Sequence, residues 1–149
     1  MKEQRNPGNN VTILLVDDDD VDVMGVERAM KKLNMSNPLV RARDGEEGLA
    51  LLRDSRAVPR PYIILLDINM PRMNGLEMLA EIRKDPRLHN DVVFILTTSR
   101  SHADKLAAYQ QKVAGYMVKS RVGDGVLNVM AMLQKYCLVV EPPSQESGT

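Results

Sequence analysis

The strongest constraint on this chain is the run Ile63-Ile64-Leu65-Leu66, which is apolar at every position and stops abruptly at Asp67. A strand with one solvated face alternates. A run without alternation reads as a strand covered on both faces, although a short buried helix segment can look the same. Pro71 and Gly75 decide for the strand, because they mark a loop directly after the run. Asp67 then stands at the carboxyl end of a central strand, where open α/β sheets place their chemistry.

The same pattern recurs along the chain. Strands are expected over residues 11–16 (VTILLV), 39–42, 62–66, 92–96 (VVFIL) and 115–118 (GYMV). Between them lie helical stripes. Val21, Met24, Met30 and Leu33 form the first, with Asn34 as a stop, and Leu49, Leu51 and Leu52 the second, ended by residues 58–61. Asp44 starts that second helix, with Glu47 as a capping-box variant. Leu76, Leu79 and Ile82 form the third, stopped by Pro86. Ser101 caps the fourth with Asp104 in its first turn, and Val126, Met130, Leu133 and Cys137 form the fifth. Five strand–helix units predict a doubly wound, five-stranded parallel α/β sheet with right-handed crossovers.

One domain fits the 149 residues. Residues 1–10 read as a flexible arm, 11–140 as the domain with an apolar C-terminal extension, and 141–149 as a disordered Pro/Ser-rich tail. Twenty Lys and Arg balance twenty Asp and Glu, so no net field favours nucleic acid or an acidic membrane. Four Tyr, one Phe and no Trp leave little for base stacking. Cys137 is the single cysteine, which rules out an internal disulfide or a cysteine-built metal site and reads as a buried helix thiol. No signal peptide or membrane-spanning run is legible, and a cytoplasmic protein is expected.

Four expected strands end in polar groups: Asp17 and Asp18, Asp67, Thr97, and Lys119. In a parallel sheet these ends share one edge and converge. Clustered carboxylates repel one another unless a cation neutralises them, and hard oxygen ligands suit Mg2+. A carboxylate beside Mg2+ and an ammonium can attack phosphorus, with the lysine and a threonine hydroxyl stabilising the transferred group. The chemistry expected is phosphoryl transfer to Asp67, giving an acyl phosphate. Asp19, Asp20 and Asp22 are expected only to serve the following helix N-terminus or to face solvent. A calcium loop starting at Asp20 fits poorly, because Lys31 occupies the twelfth position where Glu is needed. His89 and His102 lack matching partners and read as surface residues.

At these residues the chain resembles the receiver domains of two-component response regulators. The resemblance rests on ILLVDD (residues 13–18), LLDINMPRMNG (65–75), ILTTS (95–99) and GYMVKS (115–120). It implies a CheY-like, flavodoxin-like fold with strand order 2-1-3-4-5. It implies that Asp67 is the phosphoacceptor for a histidine on a sensor kinase, in a signalling protein rather than an enzyme, with slow self-dephosphorylation. Mg2+, replaceable by Mn2+ or Ca2+, would be held by Asp18, Asp67 and the Asn69 carbonyl, with Asp17 acting through ordered water. Thr97, Thr98 and Lys119 would hold the phosphoryl oxygens. Thr97 and Tyr116 would form the switch pair, and Asn69 and Ser99 would tune the phosphate lifetime. Two departures stand out: Ser120 replaces the usual Pro after the lysine, and Asn74 replaces a common Asp.

The chain is also similar to small stand-alone receivers paired with bacterial and cyanobacterial phytochrome kinases. The cues are TTS after the fourth strand, Tyr109, and apolar residues 136–140 before Pro142-Pro143. This implies a phytochrome-type kinase partner and a homodimer through Val126, Met130, Leu133, Cys137, Leu138, Val139 and Val140. Leu138-Val139-Val140 projecting past a helix end is costly to expose, so burial in a second subunit is reasonable. Two other classes fit less well. A haloacid-dehalogenase-type phosphatase also uses a strand-end Asp with Mg2+, but it wants a second Asp where Asn69 stands. A flavodoxin-like cofactor binder needs a phosphate loop where residues 17–20 are all carboxylates.

Overall fold

Apolar runs too uniform for a half-exposed sheet become five strands covered on both faces. The computed structural model describes residues 10–119 and 125–140. The elements follow in the order β1 (Thr12–Val16), α1 (Asp20–Lys32), β2 (Leu39–Ala42), α2 (Gly45–Arg53), β3 (Tyr62–Leu66), α3 (Gly75–Lys84), β4 (Val93–Thr97), α4 (His102–Gln110), β5 (Gly115–Val118) and α5 (Gly125–Val139). The strands pair in parallel in the order β2-β1-β3-β4-β5. The expected arm up to residue 9, the bond from Lys119 to Ser120 and the tail over 141–149 lie outside the described residues. Among the described residues, no helix is long and apolar enough to cross a membrane.

Alternate side chains of each strand serve two separate cores, as the two-residue period of a strand requires. Leu14, Val16, Ile64, Leu66, Val93 and Ile95 pack on Leu49, Leu52, Met78, Leu79, Ile82 and Ala108 of α2, α3 and α4. Ile13, Leu15, Ile63, Leu65, Phe94 and Leu96 pack on α1 and α5. Helices therefore cover both faces, and the strand ends are left uncovered by that packing.

Local chemistry sets the helix starts. Asp19 caps α1, Asp44 caps α2 and Ser101 caps α4. Asn74 caps α3 in a complete capping box with Glu77, a role its carbonyl oxygen fills as well as a carboxylate would. At α2 the Glu47 carboxylate accepts from the Arg43 amide instead of the cap's own. This helix stops at Arg53 with Asp54 as its cap, well before residues 58–61 where its end was expected.

Two expectations need correction. The inward stripe of α1 is Val23, Val26, Ala29 and Met30, whereas Val21 and Met24 are 75% and 53% exposed. In α5, Met130, Leu133 and Cys137 are buried against the chain's own sheet and are not available to a second subunit. Val126 is partly buried in the same core, while Leu138, Val139 and Val140 are exposed.

At the edge opposite these strand ends, polar groups tie the loops together. The Arg83 guanidinium donates to the carbonyls of Gln111, His89, Asp91 and Lys112 at 2.7–3.0 Å, tying the loops before β4 and β5 to α3. Asp91 accepts from the Tyr62 hydroxyl and from Arg60 at 3.1 Å.

Candidate functional site

Three candidate residues are each fixed by a last backbone bond at a strand end. The Asp17 amide donates to Ala42 at 3.0 Å, the Asp67 amide to Val16 at 3.0 Å, and the Lys119 amide to Thr97 at 2.7 Å. Val16 is in register with Leu66, and Thr97 with Val118. Asp17 and Asp67 therefore emerge side by side from neighbouring strands, and Lys119 reaches across from the sheet's far side.

The side chains complete the convergence. Carboxylate oxygens of Asp17, Asp18 and Asp67 lie within 4.8 Å of one another. Asp17 and Asp67 are buried and Asp18 is exposed. One Asp67 oxygen accepts from the Ile68 amide at 2.8 Å, and the other faces Lys119 Nζ at 3.2 Å. Asp17 accepts from the Asp19 amide at 2.9 Å and from Lys119 Nζ at 2.8 Å. The same ammonium lies 2.8 Å from Asp22. This corrects the expectation that Asp22 serves only the helix end or solvent. Asp22 shares a helical face with Val26, four residues on, so the inward phase of α1 carries it to the site. The misplaced stripe through Val21 and Met24 hid that signal. Asp19 does cap the helix, and Asp20 pairs with Arg41 and Arg43 at the surface.

Three close carboxylates suit a divalent cation: all offer hard oxygen, one is open to solvent, and their mutual repulsion favours an ion. Burial lifts the Asp17 carboxyl above its ordinary value of 3.8, by more than its bonds to Lys119 and Asp19 lower it. For Lys119, burial pulls the ammonium's pKa down, but the bonds to Asp17 and Asp22 and the charge of Asp67 outweigh it. Lys119 therefore stays charged.

The switch candidates meet through a third residue. Thr97 is fully buried, and its hydroxyl accepts from the Ser99 amide at 3.2 Å. The Tyr116 hydroxyl donates to the Ser99 carbonyl at 3.1 Å, with its ring packed on the core. The Ser99 hydroxyl in turn donates to Asp104 at 2.7 Å. Thr98 and Asn69 are exposed at the rim, and His89 and His102 are exposed away from these contacts. Behind Asp67, the loop is held by the Gly75 amide on the Ile68 carbonyl (2.8 Å), the Gly45 amide on Met73 (2.9 Å), and Arg72 on Asp44 (2.6 Å).

The chain as a whole is similar to known proteins. The response regulator receiver domain family matches residues 13–129. The response regulator Rcp1 of Synechocystis sp. is 38% identical over 124 residues, covering 81% of this chain and 83% of its own. The crystal structure of the phosphorylated cyanobacterial phytochrome response regulator RcpA is 31% identical with a TM-score of 0.81, covering 91% of this chain and 99% of that one. The Mn2+-bound form of Rcp1 is 34% identical with a TM-score of 0.80, covering 90% of this chain and 99% of that one.

Proposed function

The chain belongs to the response regulator receiver domain family, and on that premise we propose that it is a switch set by phosphorylation of Asp67 from a sensor histidine kinase. The observation that carries this reading is the Asp67 carboxylate at the end of β3, with oxygens of Asp17 and Asp18 within 4.8 Å and Lys119 Nζ at 3.2 Å. An Asp67 oxygen attacks phosphorus, the bond from phosphorus to the kinase's histidine nitrogen breaks, and the imidazole leaves with that electron pair and takes up a proton. Lys119 offsets charge on the transferred group. Asp18 and Asp67 would hold Mg2+, with the Asn69 carbonyl beside them and Asp17 behind. When bound, the ion supplies countercharge to the carboxylates and the phosphoryl oxygens. Mn2+ or Ca2+ could take its place.

Once Asp67 is phosphorylated, the Thr97 hydroxyl has a stronger acceptor, a charged phosphoryl oxygen, to which it can donate. Turning there abandons the Ser99 amide. Ser99 also holds Tyr116 through its carbonyl, so the loop after β4 and the tyrosine on β5 move together. Thr98, exposed next in the chain to Thr97, would donate to the same group. Ser99 and Asn69 would set how long the phosphate survives. The phosphatase alternative is not favoured, because Asn69 stands where that chemistry needs a second Asp.

Incubation with acetyl phosphate and Mg2+ should give a stable adduct on Asp67 by mass spectrometry, with slow loss. Asp67→Asn or a chelator should abolish it. Turnover of many phosphate esters without an adduct would reject the reading. The likeness to RcpA supports a phytochrome-type kinase as the partner in the cytoplasm. Transfer profiling against a panel of purified kinases tests this, and equal transfer from unrelated kinases would count against it.

Exposed Leu138, Val139 and Val140 support a homodimer through the end of α5. Light scattering at micromolar protein should report a dimer that Val139→Asp dissociates. A monomer in the unsubstituted protein would refute this.

A further inference from the structure

We infer that Asp22 is a positioning residue that aims the Lys119 ammonium at the phosphorylation site, an inference that rests on the phosphoacceptor reading of Asp67. The lysine side chain is 6% exposed and its ammonium has three N–H donors. Three carboxylates receive them: Asp17 at 2.8 Å, Asp22 at 2.8 Å and Asp67 at 3.2 Å. The two shorter contacts go to groups that do not accept the phosphoryl group. Both can persist through transfer. The third and longest points at the acceptor itself, and it can pass to a phosphoryl oxygen once Asp67 is esterified.

Two fixed posts, one directly after β1 and one in α1, thus leave the ammonium one free direction. With Asp17 alone the group could rotate about that single contact, and its third donor would no longer be aimed. A bland role for Asp22 also exists, since an acidic residue in the first turn of α1 favours the positive end of the helix dipole. That role predicts a change in helix stability and nothing at Lys119, so the two are separable.

The test uses the full chain and its Asp22→Ala and Asp22→Asn variants with acetyl phosphate and saturating Mg2+. Asp22→Ala should slow adduct formation about five- to tenfold, the worth of a charge-assisted bond reduced for the partial exposure of Asp22. Asp22→Asn keeps an acceptor oxygen and should stay within about threefold of the unsubstituted rate, because a neutral acceptor bond is the weaker kind. A second readout is the lysine ammonium 1H–15N correlation, assigned by Lys119→Arg. A proton-retaining Lys119 signal should appear in the unsubstituted chain and in Asp22→Asn, and vanish in Asp22→Ala.

Rates that match between Asp22→Ala and the unsubstituted chain would overturn the inference, as would an ammonium signal that survives in Asp22→Ala. Failure of the unsubstituted chain to form any adduct would instead reject the phosphoacceptor reading. The ammonium signal would still report whether Asp22 holds Lys119.

Discussion

Gly75→Ala is expected to destabilise the fold by about 3 kcal/mol or more, the scale of a steric insertion that side chains cannot absorb. Gly75 opens α3, and its amide donates to Ile68 at 2.8 Å, which draws the helix start onto the loop after β3. A Cβ there would collide with the Asp67 carbonyl oxygen and sit 2.9 Å from Ile68 Cα. Both are backbone atoms, so no rotamer change relieves the contact. Helix or loop must shift, and the loop begins at Asp67 itself. A misplacement on the order of 1 Å can lower a rate by about 100-fold, so adduct formation should fall by at least an order of magnitude. Gly25 is the control, because nothing lies within 4 Å of a Cβ there. Gly25→Ala in the interior of α1 should stabilise by roughly 0.5–1 kcal/mol through backbone entropy. Urea unfolding midpoints and adduct rates check both. If Gly75→Ala unfolds at the unsubstituted midpoint, the close approach of α3 to Asp67 does not control the site.

The edge that bears Asp67 was legible because each central strand carries an apolar run that ends at a residue of a different kind. Asp67, Thr97 and Lys119 needed only the parallel topology to be brought together, and the topology followed from alternation of strands with helical segments. The helix faces were less legible. In α1 both Val21 with Met24 and Val23 with Val26 satisfy helical spacing, and only tertiary packing decides which pair is inward. Choosing the wrong pair rotated Asp22 away from Lys119. In α5 the apolar residues run nearly all round, so the stripe that packs on the sheet could not be separated from one free to meet a partner. Met130, Leu133 and Cys137 went inward, and Leu138 to Val140 stayed out. The role of Ser99 as the link between Thr97 and Tyr116 depends on a loop conformation, and its sequence neighbourhood carries no periodic signal for that.

Lys119→Met should move phosphorylation and cation binding in opposite directions. The substitution keeps the length and apolar stem and removes the charge. Adduct formation from acetyl phosphate should fall about 100- to 1,000-fold, the range for removing a preorganised donor to a developing anion. The affinity for Mg2+ should rise, because Asp17, Asp22 and Asp67 now share one cation at 2.8–3.2 Å and would share none. Unit charges about 4 Å apart interact by about 4 kcal/mol at an effective dielectric near 20. That is an upper bound here, since exposed Asp18 admits water, and a rise of about tenfold in affinity is the expected scale. Without Mg2+ the variant leaves Asp17 and Asp67 buried side by side with no countercharge, and it should lose roughly 3 kcal/mol of stability, the cost of a broken buried pair, and unfold at lower temperature. Mg2+ should therefore raise the melting temperature more in Lys119→Met than in the unsubstituted chain, as any ligand selective for the folded state does. Isothermal titration with Mg2+ and melting curves with and without the ion measure both sides. Weaker Mg2+ binding in the variant would mean that Lys119 organises the carboxylates for the ion instead of competing with it.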